Sequence, residues 1–553
     1  MMIDQTLKVL AEYDDVVFTK QYHVVEDKNI SMTFSGTFFR FESLDNCFDQ
    51  FNLAHPFILW EKEHGEFQVK HRFNRNLSND GFMLSITEDK TILIDSRTMN
   101  GYRFAIELLQ RLIVKNKSQL FLPIVKVTHT PSFEVRGVIE GFYGIPWSHE
   151  MRKDCLTFLS SKRMNTYMYA PKDDEYQRKL WRELYSKEKL DEFRELLNLS
   201  TANRIDFWYM ISPGNDLNYL DNTDLSVLKH KLKQMVQLGV THFGLLMDDI
   251  AYELSDDVKK KFKTSAQAHA YLMNVVYDYL VEEIPYVKFV ACPTEYDNHY
   301  DSPYLEELTR LLHQDIPLFW TGPTTLSRHI TTEDIKKMSD IYQRQMIIWD
   351  NVPVNDFEQD NELIFLSQYS NRSKQLSDNQ YNVLGIVLNP MAQWELSKIT
   401  VGHSAKYMWQ TDRANDLAMW HQVLQEYGQT KENGRALDIL SKHFTNRHLE
   451  PSIPVEWQQL VKQQDIDALT DILKELSQAV ETLKKMNNPN FLIEIKPWFE
   501  RVMLEDQLWQ AMISKNNKKA HTLYQELMTK KHRVGSQIPI IYYETYLKKS
   551  SGE

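Results

Sequence analysis

The chain lacks the marks of several large protein classes. It has three cysteines in 553 residues, Cys47, Cys155 and Cys292. They are odd in number, far apart and without metal-ligand spacing, so neither a disulfide framework nor a cysteine metal site is expected. No window approaches eighteen consecutive apolar residues, which argues against a membrane-spanning helix. Residues 1–8 lack the charged, apolar and small-residue regions of a secretory leader. With reduced thiols, this leads to the expectation of a cytoplasmic protein. Positive charge is not in excess: 64 Lys and Arg stand against 76 Asp and Glu, a net charge of −12. A nucleic acid or an anionic membrane would call for a basic face, so neither is expected as a partner. No G-x-x-x-x-G-K-[ST] loop or kinase loop offers a phosphate cradle.

What is present is an ordinary globular composition, 42% hydrophobic and 25% charged, in a chain long enough for two to four domains. Up to about residue 130, β-rich runs at 15–19, 30–35 and 91–96 and helical spacing over 101–113 read as a small α/β domain. No chemical constellation stands out in it. From 131 to 410 a regular alternation sets in, with short apolar runs at 135–140, 164–170, 205–212, 242–247, 287–292, 318–321, 346–349 and 383–388. Between most of them lie amphipathic stretches, such as 221–238 and 256–281, long enough for crossover helices. Eight β-then-α units predict a (β/α)8 TIM barrel. A doubly wound sheet would carry a Gly-rich phosphate turn after its first strand, and Gly141-Phe-Tyr-Gly144 is too aromatic for that. From 411 to 553, apolar spacing of three and four over 414–427, 434–444, 464–485 and 508–530 predicts a helical C-terminal domain. Loops holding Pro451, Pro454 and Pro489 separate these stretches. Trp409, Trp420, Trp457, Trp498 and Trp509 are expected in its core. Whether this region forms a homodimer surface or packs on the barrel is left open by the sequence.

The ends of the eight runs carry polar residues, and in a barrel such ends converge on one rim. The run at 242–247 ends in Asp248-Asp249. Carboxylates at the end of a buried strand are costly unless paired or used. As metal ligands they would want further oxygen or imidazole donors, and no run ends in histidine. No metal or organic cofactor is therefore expected. Glycoside hydrolysis fits better, because it uses two carboxyls with separated protonation states, and neighbouring acids resist both carrying charge. Adjacent residues of a strand point to opposite faces, so both acids reach one pocket only if the chain turns at the strand end. Ordinary two-carboxylate enzymes place the acid and its partner across the sugar. Adjacent acids point instead to a second carboxylate that manages the substrate's own nucleophile.

These motifs together resemble glycoside hydrolase family 84, the β-N-acetylglucosaminidases that include O-GlcNAcases and enzymes labelled hyaluronidase. The resemblance lies in Arg136–Ser148, Met164–Asp174, Ile211–Gly214, Leu246–Ile250, Cys292–Tyr296, Trp320–Pro323, Trp349–Asn351 and Asn389–Pro390, in order through all eight units. It implies a retaining exo-glycosidase acting by substrate assistance. Asp248 would polarise the 2-acetamido group, whose oxygen attacks the anomeric carbon. Asp249 would be the general acid, then the base that activates water against the oxazoline. Tyr296 would place the acetamido oxygen, Asn351 would support that group, and Trp349 and Cys292 would wall the methyl pocket. Gly141, Lys172, Asn389 and Asp356 would grip the sugar hydroxyls. The implied partner is a glycan or glycoprotein bearing terminal β-linked GlcNAc. Two alternatives stand beside this reading, an endo-acting hyaluronidase-type glycosidase and a catalytically silent GlcNAc-binding protein.

Overall fold

The structure, a computed structural model, describes residues 2–25, 30–35, 59–61, 64–213, 216–297, 299–357, 362–413 and 417–548. Cys47, Gly214 and the start of the helical stretch at 414 lie outside the described residues. The chain forms two compact units, Met1–Glu134 with Met408–Gln410, and Val135–Tyr407 with Thr411–Glu553.

The first unit is built on a mixed sheet. Its strands are β1 (Asp15–Val24), β2 (Ile30–Ser35), β3 (Leu59–Glu61), β4 (Phe67–Phe73), β5 (Phe82–Ile86), β6 (Thr91–Ser96), β7 (Val114–Asn116) and β8 (Gln119–His129). They lie in the order β1-β8-β5-β6-β4-β2-β3, with β7 on β8. Period-two patterning puts Phe82, Leu84 and Ile86 on one face of β5, where they join Ala105, Leu108 and Leu109 of the helix Met99–Arg111 in one core. Thr98 caps that helix by accepting from the Gly101 amide. Trp409, expected among the C-terminal helices, is core in this unit instead, stacked 4.5 Å from His129.

The second unit contains a closed parallel barrel. Its strands are β9 (Val135–Glu140), β10 (Thr166–Tyr169), β11 (Asp206–Ile211), β12 (His242–Leu246), β13 (Lys288–Cys292), β14 (Leu318–Trp320), β15 (Met346–Asp350) and β16 (Val383–Leu388), and β9 pairs both β10 and β16 to close the ring. Each apolar run read from the sequence is one of these strands. Parallel strands covered on both faces need near-continuous apolar sequence, which is why the runs do not alternate. Ile139, Met168, Met210, Leu246, Val290, Phe319, Ile347 and Val387, one from each strand, fill the interior. Gly244 makes room for this packing, since a Cβ there would lie 2.1 Å from Met210 Sδ.

Crossover helices start where short polar residues satisfy their free amides. Ser148, Ser186, Asp221, Thr264, Ser302 and Thr331 each accept from an amide of the helix they precede. The helix Trp394–Trp409, which follows β16, is capped from a distance. Glu494 accepts from the amides of Glu395 and Leu396 at 3.2 and 3.1 Å.

Beyond the barrel lie the helices Leu417–Gly428, Lys431–His443, Val455–Gln463, Ile466–Leu483, Pro489–Ile513 and Asn517–Thr529. The stretch 508–530 is not one helix. It breaks at 514–516, where Lys515 turns left-handed (φ +56°) and Asn516 caps the next helix. Pro489, expected in a loop, opens a 25-residue helix at its first position, where a missing N–H costs nothing. Trp420, Trp498 and Trp509 are buried, and Trp457 packs at the edge of the core. No described helix is long and apolar enough to cross a membrane.

Burial raises the Glu494 carboxyl from 4.5 to about 7. A group whose folded value exceeds its unfolded value contributes stability that is complete below the unfolded pKa, here about pH 4.5, and lost as pH rises through about 7. Glu494→Gln, which mimics the protonated acid, is therefore expected to gain on the wild type across that window, by on the order of 3 kcal/mol. Urea unfolding of both proteins from pH 4.5 to 8 measures this, and a difference that does not move with pH would refute it.

Candidate active site

Strand β12 is held at its C-terminal end by Met247 N donating to Cys292 O (3.0 Å) and Thr294 Oγ1 donating to Met247 O (2.8 Å). Beyond this clamp the backbone turns. Asp249 takes a left-handed conformation (φ +50°), one that Asp tolerates better than most residues. The turn brings two successive side chains to one pocket.

That pocket, about 400 Å3, lies at the C-terminal rim of the barrel. It is lined by all ten residues singled out from the sequence: Asp248, Asp249, Gly141, Lys172, Cys292, Tyr296, Trp349, Asn351, Asp356 and Asn389. Its size is usual for small-molecule sites.

Asp248 is 5% exposed and pairs with the buried Lys172 ammonium through Oδ2. Its Oδ1 is buried and has no hydrogen-bond partner. A buried carboxylate oxygen without a donor is costly, and such oxygens are normally satisfied by something bound. Asp249 is more exposed and accepts two phenol hydrogen bonds, from Tyr143 to Oδ2 (2.6 Å) and from Tyr296 to Oδ1 (3.2 Å). Burial first, then the charge of Asp249, pushes the Tyr296 phenol far above its ordinary value. Burial first, then the bond to Asp249, does the same for Tyr143. Both therefore stay protonated and donate. Tyr296 is thus bonded to an acid.

The opposite wall is an amide ladder. Gly141 N donates to Asn389 Oδ1 (3.2 Å), Asn389 Nδ2 to Asn351 Oδ1 (3.0 Å), and Asn351 Nδ2 to Thr325 O (2.7 Å). The backbone amide at its start and the carbonyl at its end fix the orientation of both side-chain amides. Trp349 lies across the Gly141 backbone, and a Cβ on Gly141 would meet its Cζ2 at 2.4 Å. Glycine is required there by close approach. Cys292 is buried beside them, and its thiol is pushed up by burial, so it is neutral. Asp356 accepts from Tyr143 N at 2.7 Å, and burial raises its carboxyl.

Two buried ion pairs stand behind the rim. Glu140, at the end of β9, takes the Arg152 guanidinium on both oxygens at 2.8 Å and also bonds Tyr167 and the Trp147 amide. Asp350, at the end of β15, takes Arg372 on both oxygens at 2.7 Å and Tyr369 at 2.8 Å. Among the described residues no group of three His, Cys, Asp or Glu side chains is arranged to hold a metal ion.

Tyr143, Thr321 and Thr325, which are not among the candidates the sequence offers, also line the pocket, as does Phe357. Tyr143 stood in the strand-end motif and Phe357 beside Asp356, so both were within reach. Thr325 lies five residues past β14, where nothing local marks it.

Asp356→Asn is expected to stabilise the protein at neutral pH by about 1 kcal/mol. The cost of burying charge disappears, while an oxygen acceptor for Tyr143 N remains. A raised folded value means that this gain shrinks as pH falls and the native carboxyl protonates. Thermal unfolding at pH 7 and pH 4 checks both parts, and a destabilised variant at pH 7 would count against the burial argument.

The chain is similar to several known proteins. It is 38% identical over 271 residues to the mouse Protein O-GlcNAcase, a match covering 48% of this chain and 29% of that one, so the chain spans under a third of that relative's length. A Thermobaculum terrenum O-GlcNAc hydrolase structure is 30% identical, with a TM-score of 0.69 over 76% of this chain and 95% of that chain. The structure of CpGH84B shares the fold at 22% identity, with a TM-score of 0.80 over 96% of this chain and 98% of that one. Residues 136–442 match the beta-N-acetylglucosaminidase family, and with more than half of its length in that match the chain belongs to this family.

Proposed function

We propose that the chain is a retaining, exo-acting β-N-acetylglucosaminidase that uses the substrate's own 2-acetamido oxygen as nucleophile. The observation that carries this reading is the unpartnered, buried Asp248 Oδ1 in a pocket walled by Trp349 and Cys292. A carboxylate in that state wants an N–H donor, and the acetamide supplies one. Accepting that proton's hydrogen bond raises electron density on the amide oxygen, which then attacks the anomeric carbon. As the new C–O bond forms, the bond to the leaving oxygen breaks and Asp249 gives that oxygen a proton. The resulting oxazolinium keeps its N–H on Asp248; water opens it, its hydroxyl going to the anomeric carbon and its proton to Asp249, and two inversions retain the β configuration.

Lys172, Asp356, Asn389 and the Gly141 backbone provide charged and amide partners for the hydroxyls. Asp356, partly buried and held by Tyr143 N, lines the pocket as the carboxylate that would take the 4- and 6-hydroxyls, which favours a terminal sugar. The names of the mouse and Thermobaculum relatives point to GlcNAc on protein as the substrate class. The free, buried thiols Cys155 and Cys292 fit a reducing cytoplasm.

An aryl β-N-acetylglucosaminide is expected to be hydrolysed and the matching aryl β-glucoside not, since only the first carries the nucleophile. Turnover of both at similar rates would remove the acetamido group from the mechanism. Asp249→Asn should lose about 10²- to 10⁴-fold in kcat/KM on glycosides with poor leaving groups and much less on activated aryl ones. Asp248→Asn should lose on both. The same leaving-group dependence in the two variants would contradict these separate roles.

A further inference from the structure

The two phenols on Asp249 are not held alike. The Tyr296 hydroxyl has no side-chain partner other than Asp249 Oδ1, at 3.2 Å, among the described residues. The Tyr143 hydroxyl, 2.6 Å from Oδ2, also receives Arg178 Nη1 at 3.2 Å, and that guanidinium lies 5.6 Å from the centre of the Tyr143 ring. A guanidinium only donates. With Arg178 on its oxygen, the phenol has its single proton directed at Oδ2. Arg178 has no carboxylate within ion-pair distance among the described residues, so its charge acts first on the Tyr143 it bonds and, at longer range, on Asp248 and Asp249. The Tyr143 backbone is tied as well, through its amide to Asp356.

Each Asp249 oxygen accepts one phenol and keeps a second lone-pair site, so the acid's proton can sit on either, and which one faces the leaving group depends on how firmly each phenol is held. We propose that Arg178 is a positioning residue that decides which. Through Tyr143 it locks Oδ2, so Oδ1 carries the proton to the leaving oxygen while Tyr296 turns to the substrate's acetamido oxygen. In the first step the Oδ1–H bond breaks and an O–H bond forms on the departing aglycone. In the second, Oδ1 takes a proton from the water that opens the oxazolinium. The proposal rests on the reading of Asp249 as the general acid.

The test compares a nitrophenyl with an alkyl β-N-acetylglucosaminide. Arg178→Gln is expected to lose about tenfold or more in kcat/KM on the alkyl glycoside and under about threefold on the nitrophenyl one. Arg178→Lys, which restores a donor and a charge, should recover part of the loss. Added to Tyr143→Phe, Arg178→Gln should cost nothing further, because both act through one hydrogen bond. Equal losses on the two substrates, or losses that multiply in the double variant, would overturn the proposal. If Arg178→Gln does not fold, Tyr143→Phe must show the leaving-group selectivity by itself, and a uniform loss there overturns it equally. An Asp249→Asn control without selectivity would instead sink the acid assignment beneath it.

Discussion

Two carboxylates next to each other in sequence must serve one pocket, and the rest of the site follows from how that is done. A strand sends neighbours to opposite faces, so the backbone has to leave the strand between them. It does so at Asp249, in the left-handed region. The two acids then face different surroundings. Asp248 remains at the barrel's core and needs the Lys172 charge beside it. Asp249 stands further out and needs only the dipoles of two phenols. Different solvation of chemically equal groups is what the proposed mechanism needs to give the two carboxyls separate roles.

The rim around this turn is not left to loops. The strand ends that carry Gly141 and Asn351 are preceded by Glu140 and Asp350, each buried and each bonded to an arginine fork and a tyrosine. Removing one member of such a pair strands a charge, at about 3–5 kcal/mol. The gain is placement: the Asp350 carbonyl takes the amides of both Val352 and Asn389, tying β15 to the end of β16. The amide ladder from Gly141 to Thr325 then spans a rim whose supports are themselves fixed.

Much of this was legible in the sequence because barrel strands announce themselves. Buried on both faces, they are short apolar runs, and the polar residues after each run are the rim. The converging ten residues could be named on that ground and on a family resemblance. What stayed illegible depended on geometry that local sequence does not encode. Thr325 contributes a carbonyl, which any residue has. Glu494 caps a helix about a hundred residues away in sequence. The break at 514–516 falls inside unbroken apolar spacing, and only the left-handed Lys515 and the Asn516 cap reveal it. Pro489 is a breaker by sequence pattern and a starter in the structure, because proline carries both meanings and only the following turn distinguishes them.

Under the proposed mechanism the charge balance of the pocket bears on catalysis. Asp248, Asp249 and Asp356 line it, with Lys172 as the one cation among the lining residues. A neutral sugar gains little from that surplus of carboxylates. A sugar whose anomeric carbon is becoming positive gains more, and only interactions that strengthen toward the transition state raise the rate. The surplus has a cost: an unpartnered Asp248 oxygen, a left-handed Asp249 and a raised Asp356 lie within one cavity. The buried acids of the rim supports, by contrast, are fully paired. Among the buried side-chain atoms without a partner, Asp248 Oδ1 is the one carboxylate oxygen, and it lies in the cavity that the strand ends surround, which marks the site on physical grounds.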